Sequence, residues 1–473
     1  MDSIVIVGGG IAGLSAAYSL VEKAKSENRA LSISVVETGD RWGGKIATDR
    51  IDGFVIEGGP DTFLRTKPWG VDLCRKLGLE ERLHGTNPAQ KNTYVLHSGR
   101  LKPLPEGLMM MIPTQIAPMV RTPLLTWPEK ARMGLDFFLP ARPLNGDESL
   151  GEFVSRRLGR AAYEKLIEPL MSGIYAGDGD QLSLQSTFPY LRDLEMKHGG
   201  LVKGALSVRK QRSRMSSGNS NKKSIFLTPT TGLAEIVEAL IQYLETHHVQ
   251  LHLNTQVTQI SHNKTGYYQL DTNTRGPMLA NGVILAAPAY ISGSILSKLA
   301  PQLSRELTAI PYVSTATISL AYRQSDLPKP LRGYGYVIPK RESRQALACT
   351  WTSTKFPHRA PEGYALLRVF AGRAGQEMDL PWNDDDLLAI ARSEVRHTLG
   401  IQADPVLSRV YMWEKAMPQY NLGHPERLKR IDVELTKFPG LALAGNGYQG
   451  IGIPDCIFSG SQAAEKVYLS LSD

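Results

Sequence analysis

Cysteine is scarce, with only Cys74, Cys349 and Cys456 in a chain of 473 residues. They are too few and too far apart for a disulfide framework, and none forms a Cys-x-x-Cys redox pair, so a reducing compartment fits. No uninterrupted apolar run reaches the roughly 20 residues that a membrane-spanning helix needs. The first β-prone run is under way by Ile4, which leaves no room for a signal or transit peptide. A cytoplasmic protein is expected, soluble or peripheral on the inner face of the cell membrane. Zinc-ligand spacing, an RNP-like aromatic pattern and a helix with a regular basic stripe are all missing, so neither a metal nor a nucleic-acid partner is expected. No catalytic triad or carboxylate dyad is evident, so neither a nucleophile nor an obligatory acid-base pair is expected.

What is present is ordinary for a large globular protein. Hydrophobic residues make up 42% and charged residues 21%, and the 44 Gly and 29 Pro indicate many turns rather than disorder. The length suits about three lobes, since single cores stop growing at roughly 250 to 300 residues. A formal charge of +8 and a pI near 9.2 favour an anionic partner: nucleic acid, an acidic lipid surface or a carboxylate-rich substrate. Charge alone does not choose among them.

The most informative stretch is the first 45 residues. Ile4 to Val7 predict a short buried strand, and Gly8, Gly9, Gly10, Ile11, Ala12 and Gly13 follow with no spacer before a helical pattern begins. Gly8 permits a tight turn, Gly10 lets backbone approach a pyrophosphate, and Gly13 lets helix and strand pack closely, with phosphates at the helix N-terminus. A lone GxGxxG is weak evidence. Here a second strand, Leu31 to Val36, ends at Glu37, placed to accept hydrogen bonds from a ribose and to disfavour a 2′-phosphate. Thr38 follows, and then Arg41, Gly43, Gly44 and Lys45 form a second glycine turn with two cations, suited to a diphosphate. Residues 39 to 45 resemble the R-x-G-G motif of the amine-oxidase superfamily of flavoproteins, and the resemblance implies FAD.

Further along, Thr48 to Glu57 predicts a strand pair turned at Asp52-Gly53, running into Gly59, Pro60, Asp61 and Thr62 as a second backbone approach to the cofactor. Helical spacing covers residues 68–83, and a hairpin is predicted from Tyr94 to Leu101, turned at Ser98-Gly99. Leu108 to Val120 is apolar but broken by Pro113 and Pro118; it reads as packed core or as a surface dipping into a membrane interface. Residues 209–223 carry six cations and no acid and read as an exposed loop. The stretch 231–287 returns to strand and helix patterns of the cofactor domain, with Val257 near the cofactor, and 290–400 reads as a mostly antiparallel substrate sheet with helices. A second GxGxxG, Gly445 to Gly450, is followed by too few residues for another nucleotide domain. It is expected to close the flavin end of the first, with Gly450, Ile451, Gly452, Ile453 and Pro454 against the ring and a final helix starting at Pro454. Its positive end would stabilise negative charge on the reduced ring. No further Rossmann unit is left for NAD(P)H.

These motifs together resemble the FAD-dependent protoporphyrinogen and coproporphyrinogen oxidases of haem synthesis, nearly end to end. Two segments discriminate: Ser172-Gly-Ile-Tyr-Ala-Gly-Asp178 and Pro418-Gln-Tyr420. Within that family the chain looks closest to the bacterial, Gram-positive type that acts on coproporphyrinogen III. The resemblance implies an α/β fold with a Rossmann-like FAD-binding domain of the amine-oxidase type (1–50, 226–290 and 404–473). It also implies a mixed-sheet substrate domain (51–100 and 291–403) and a helical lobe (101–225), for which packed core and a membrane-facing surface are the two readings. It implies six-electron oxidation of a porphyrinogen by hydride transfer to flavin N5, with molecular oxygen as acceptor, peroxide as product and no catalytic side chain. Carried over by motif, Gly173 and Ile174 approach the substrate, Arg65 and Lys67 meet propionates, and Trp413 lines the cofactor. Transient contact with the next haem-pathway enzyme and peripheral contact with a membrane are further expectations. Protoporphyrinogen IX is the alternative substrate. A flavin amine oxidase is less consistent, because Gly452 and Ile453 stand where such enzymes place an aromatic cage residue. A carotenoid-type desaturase would carry a longer apolar tunnel, and a binding-only flavoprotein leaves both discriminating segments unexplained.

Overall fold

The computed structural model describes every residue except 1, 110, 111, 114, 144, 145, 216–223, 264, 265, 377–382, 472 and 473. Two compact units divide it: Met1–Gly85, Ser224–Pro311 and Pro425–Asp473 form one, Thr86–Lys223 and Tyr312–His424 the other.

The first unit is built on strand β1 (Asp2–Val7), helix α1 (Ile11–Ser26), strand β2 (Leu31–Val36), helix α2 (Pro68–Lys76), helix α3 (Ala234–Thr246), strands β3 (Gln250–His252), β4 (Gly282–Leu285) and β5 (Leu441–Leu443), and helix α4 (Ile453–Ser470). Its parallel sheet has the order β3-β2-β1-β4-β5. Ile4, Ile6, Val35 and Ile284 share one face of the sheet and are buried in one cluster with Leu14, Ala17, Leu240 and Ala464 from the helices, and Val5, Val283 and Leu285 on the opposite face are buried too, as a parallel sheet covered on both faces requires. α4 lies directly on α1, because a Cβ at Gly460 would overlap the Ala12 carbonyl. The hairpin Thr48–Ile51/Phe54–Glu57 turns at Asp52 and Gly53, with φ of 50° and 78°, as the Asp-Gly pair predicts. Val257 opens an antiparallel strand of a separate three-stranded sheet.

The second unit carries a seven-stranded sheet in the order Leu407–Pro418, Tyr312–Arg323, Tyr364–Ala371, Ala346–Trp351, Gly335–Val337, Thr93–His97 and Arg100–Pro103. Every pair is antiparallel except Gly335–Val337 with Thr93–His97. The helix Asp384–Leu399 buries Leu387, Ala391 and Val395 against it. Beside the sheet, Arg156 of helix Leu150–Leu158 donates to Glu195 of helix Pro189–His198 at 2.7 Å, and Arg157 donates at 2.6 Å to Asp136 in the turn Leu135–Phe137, with Arg157, Asp136 and Glu195 fully buried.

Several expectations differ from what is observed. Residues 51–85, placed with the substrate sheet, fall in the first unit, and 404–424, placed with the cofactor domain, fall in the second. The reason for the latter is Leu407–Pro418, a 12-residue edge strand paired along Tyr312–Arg323, whose half-exposed pattern lacks a clean alternation. The helix over 68–83 ends at Lys76, because Gly78 turns left-handed at φ 74°. Residues 209–215, read as loop, are the last turns of helix Leu201–Met215; the rest of that basic stretch lies outside the described residues. The continuous helical run from Arg160 to Tyr175 contains a π turn at Tyr163–Ile167. The 108–120 stretch splits: Ile112 and Met119 are buried, Ile116 and Val120 exposed. Among the described residues no helix is long and apolar enough to cross a membrane.

Candidate functional site

At the C-terminal end of β1 the chain turns through Gly8, whose φ of 112° and contact with the Ala286 carbonyl, 2.9 Å from where a Cβ would sit, admit only glycine. The Gly8 N–H donates to Val36 O at 2.8 Å, and a Cβ at Gly13 would overlap the Gly8 carbonyl oxygen. Gly10 caps α1 without a side-chain partner, and nothing lies within 4 Å of where its Cβ would be. The helix N-terminus, with its unsatisfied amides, therefore opens onto space.

Glu37 stands at the rim as the β2 strand ends. Its carboxylate accepts from Gly9 N–H at 2.7 Å and Gly39 N–H at 2.8 Å, which leaves lone pairs on both oxygens for hydroxyl donors. The second glycine turn abuts the first: Gly43 N–H donates to Gly9 O at 2.8 Å, and Gly44 would bring a Cβ 3.2 Å from Gly10 Cα. Arg41 folds back to donate to Gly44 O at 2.6 Å and Ile46 O at 3.0 Å, so it holds the turn in shape. The Lys45 ammonium has no ion-pair partner among the described residues, and burial pushes its pKa down to about 8. Such an ammonium is stabilised by any anion that enters. Gly59 packs directly on the Lys45 carbonyl, leading into Pro60, Asp61 and Thr62, whose hydroxyl donates to Asp61 at 3.0 Å. Thr38 is exposed. Thr255 N–H donates to Glu37 O at 2.8 Å, which brings the backbone just before Val257 alongside the acid.

The C-terminal motif joins the same unit. β5 is the edge strand of the parallel sheet, and Gly445 after it, with φ 113°, donates its N–H to Ser459 Oγ at 3.0 Å. Gly450, at φ 75°, and Ile451 lead to Gly452, the N-cap of α4, which starts at Ile453, one residue before Pro454. The open cradle at Gly10, the uncapped N-terminus of α1, the acid with spare acceptor capacity and the unpaired ammonium fit a dinucleotide.

The two cations expected to meet carboxylates differ. Arg65 Nε is buried without a hydrogen-bond partner among the described residues. Lys67 is already engaged, donating to both Asp455 oxygens at 2.5 and 2.6 Å. Asp455 was not anticipated as its partner, since 388 residues separate them.

In the second unit Gly173 and Ile174 lie on helix Glu168–Tyr175, with space around Gly173 and Ile174 45% exposed. That helix is anchored at its buried first residue: Glu168 accepts from Arg373 at 3.0 Å, Ser172 at 2.8 Å and Lys340 N–H at 3.1 Å. Burial pushes the Arg373 guanidinium pKa down, and the Glu168 charge opposes that shift. A cleft of about 280 Å³ runs past Arg373, Glu168, Tyr163, Arg160, Asp178 and Asp180. Arg373 escaped the sequence reading because nothing local marks it. The two discriminating segments meet here: Gln419 donates to Tyr175 O at 2.9 Å and Ser183 N–H to Tyr420 O at 2.8 Å. Trp413 belongs to this unit too, opposite Thr315 on the edge strand.

Comparison with known proteins agrees with this geometry. The Flavin containing amine oxidoreductase family matches residues 11–468. The chain is similar to a coproporphyrinogen III oxidase of Bacillus subtilis, 40% identical over 97% of this chain and 96% of the relative. It is also similar to one of Staphylococcus aureus, 33% identical over 99% of both. Among solved structures it resembles a candidate protoporphyrinogen oxidase from an Exiguobacterium species, with a TM-score of 0.85 and 35% identity over 100% of this chain and 99% of that one.

Proposed function

The chain belongs to the flavin-containing amine oxidoreductases, and from that premise we propose that it oxidises coproporphyrinogen III to coproporphyrin III with FAD and molecular oxygen. The observation that carries this is the 40% identity, nearly end to end, to a coproporphyrinogen III oxidase. The joining of the two discriminating segments through Gln419 and Tyr175 supports it. Six electrons and six protons leave the macrocycle, and three dioxygen molecules take them up as three hydrogen peroxide molecules.

FAD when bound supplies the two-electron acceptor, which no side chain can provide. The protein's part is binding and orientation. Gly8 to Gly13 and the N-terminus of α1 hold the diphosphate, Glu37 accepts from ribose hydroxyls, and Lys45 supplies a compensating charge. Arg65, with its unpartnered Nε, is the cation we assign to a substrate carboxylate. Gly173 and Ile174 are assigned to substrate contact, on a helix that Glu168 and Arg373 keep rigid. Ile116, Val120, Trp127 and Phe138 are exposed, the last two at 71% and 84%. Lys130 sits over Trp127 at 4.8 Å and donates to Val120 O at 2.7 Å, and these exposed apolar side chains are read as a peripheral membrane contact, checked by co-sedimentation with anionic vesicles.

Purified holoenzyme offered coproporphyrinogen III and protoporphyrinogen IX in parallel, with porphyrin fluorescence and peroxide followed together, tests the reading. The expected result is faster oxidation of the substrate with more carboxylates, with three peroxides per porphyrin. Faster turnover of protoporphyrinogen IX moves the assignment to the alternative substrate, and bound FAD with neither product removes it.

A further inference from the structure

Lys67 is the residue immediately before α2, and Asp455 is the third residue of α4. Around their ion pair the starts of the two helices pack on each other. Trp69 stacks on Phe458 with ring centroids 4.3 Å apart, and a Cβ at Gly70 would lie 3.2 Å from the Pro454 ring. α2 is thus a buttress placed against the start of α4. Asp455 itself accepts from Gly452 N–H at 3.2 Å and stands where a Cβ on Gly450 would have to go, so it shapes the whole 450–454 approach.

The electrostatics of that turn depend on Lys67. A helix N-terminus carries roughly half a positive charge, and an unpaired aspartate in its first turn would more than cancel it. With Lys67 bound to both carboxylate oxygens, the aspartate keeps its capping role while its charge is compensated. Burial pushes the Cys456 thiol pKa up to about 12, the Asp455 carboxylate pushes it the same way, and the Lys45 and Lys67 ammoniums oppose the shift.

We propose that Lys67 is a positioning residue for the flavin rather than a ligand of substrate carboxylates. By compensating Asp455 it keeps the N-terminus of α4 electropositive, and so raises the reduction potential of a flavin ring seated against residues 450–454. The inference rests on FAD being bound as proposed, with its ring against residues 450–454 as the sequence motif implies, and not on the identity of the substrate.

The test measures the midpoint potential of FAD in purified holoenzyme, by reductive titration against reference dyes. Four variants are compared: Lys67→Met, Lys67→Arg, Asp455→Asn and the double variant Lys67→Met/Asp455→Asn. Lys67→Met is expected to lower the reduced-to-oxidised equilibrium ratio about tenfold, about 30 mV for a two-electron couple. Lys67→Arg restores it, Asp455→Asn raises it, and the double variant returns close to the wild-type value. Asparagine retains the acceptor for Gly452 N–H, so Asp455→Asn answers the question even if Lys67→Met folds poorly. Potentials unchanged in all variants overturn the proposal. So does a Lys67→Met enzyme whose only change is a raised KM for porphyrinogen. Wild-type protein that binds FAD but oxidises neither porphyrinogen defeats the substrate reading and leaves this measurement intact.

Discussion

The first unit makes its site from backbone, and the second holds its site by side chains that come from far apart. In the cradle the working parts are glycine conformations and N–H groups: Gly8, Gly10, Gly13, Gly43 and Gly44. In the second unit the helix bearing Gly173 and Ile174 is fixed by Glu168 with Arg373 and by Gln419 with Tyr175. A backbone site tolerates changes in its surroundings but not a single added carbon where chains touch. A side-chain site survives such additions better and fails when one partner of a buried pair is lost. The difference separates the glycine cradle proposed to hold the cofactor phosphates from the segment proposed to meet the substrate.

The largest expected effect is in the second unit. Arg157 donates to Asp136 at 2.6 Å and to the carbonyls of Gly199, Leu139 and Pro140 at 3.0 to 3.1 Å, and the Arg157 and Asp136 side chains are fully buried. Arg157→Met leaves Asp136 buried and uncompensated, a loss of about 3 to 5 kcal/mol. Hydrogen exchange should lose protection over Leu150–Leu158 and Pro189–His198 while β1 and α1 keep theirs. Equal loss in both units would break the comparison, since it would mean that they unfold as one.

Next is Gly13→Ala, where the new methyl overlaps the Gly8 carbonyl oxygen. Overpacking against backbone costs about 1 to 3 kcal/mol, and it should appear as protein purified with little flavin although helix and strand content by circular dichroism persists. Normal flavin occupancy would show that the first turn can yield and that the cradle is less rigid than its contacts imply.

The smallest is a pH effect on the cradle. Burial holds the Lys45 pKa near 8, below its ordinary 10.5. An anion bound beside it favours the charged form and raises that pKa, so FAD affinity is flat below about pH 8 and falls above it, by up to tenfold per pH unit. FAD dissociation constants from flavin fluorescence between pH 7 and 9.5 should show the bend, and Lys45→Met should abolish it. A flat wild-type profile would take Lys45 out of the diphosphate site.

Sequence-local features account for what could be read in advance. The strand, the glycine turn, the helix and the acid at Glu37 lie within one short stretch, and each glycine's role is set by its immediate neighbours. The turns at Asp52-Gly53 and Ser98-Gly99 are of the same kind, with left-handed φ at all four residues. The edge strand Leu407–Pro418 and the shortened helix at Lys76 depend on distant pairing or on one glycine, and their local patterns mislead. Lys67 is the sharpest case. Its charge and its place after Gly59-Pro-Asp-Thr suggested a substrate carboxylate, and the folded chain supplies a carboxylate of its own, Asp455, from near the other terminus. Chemistry carried by adjacent residues was written in their order, whereas the choice of partner for a charge was made by folding, because Coulomb attraction depends on separation in space and not along the chain.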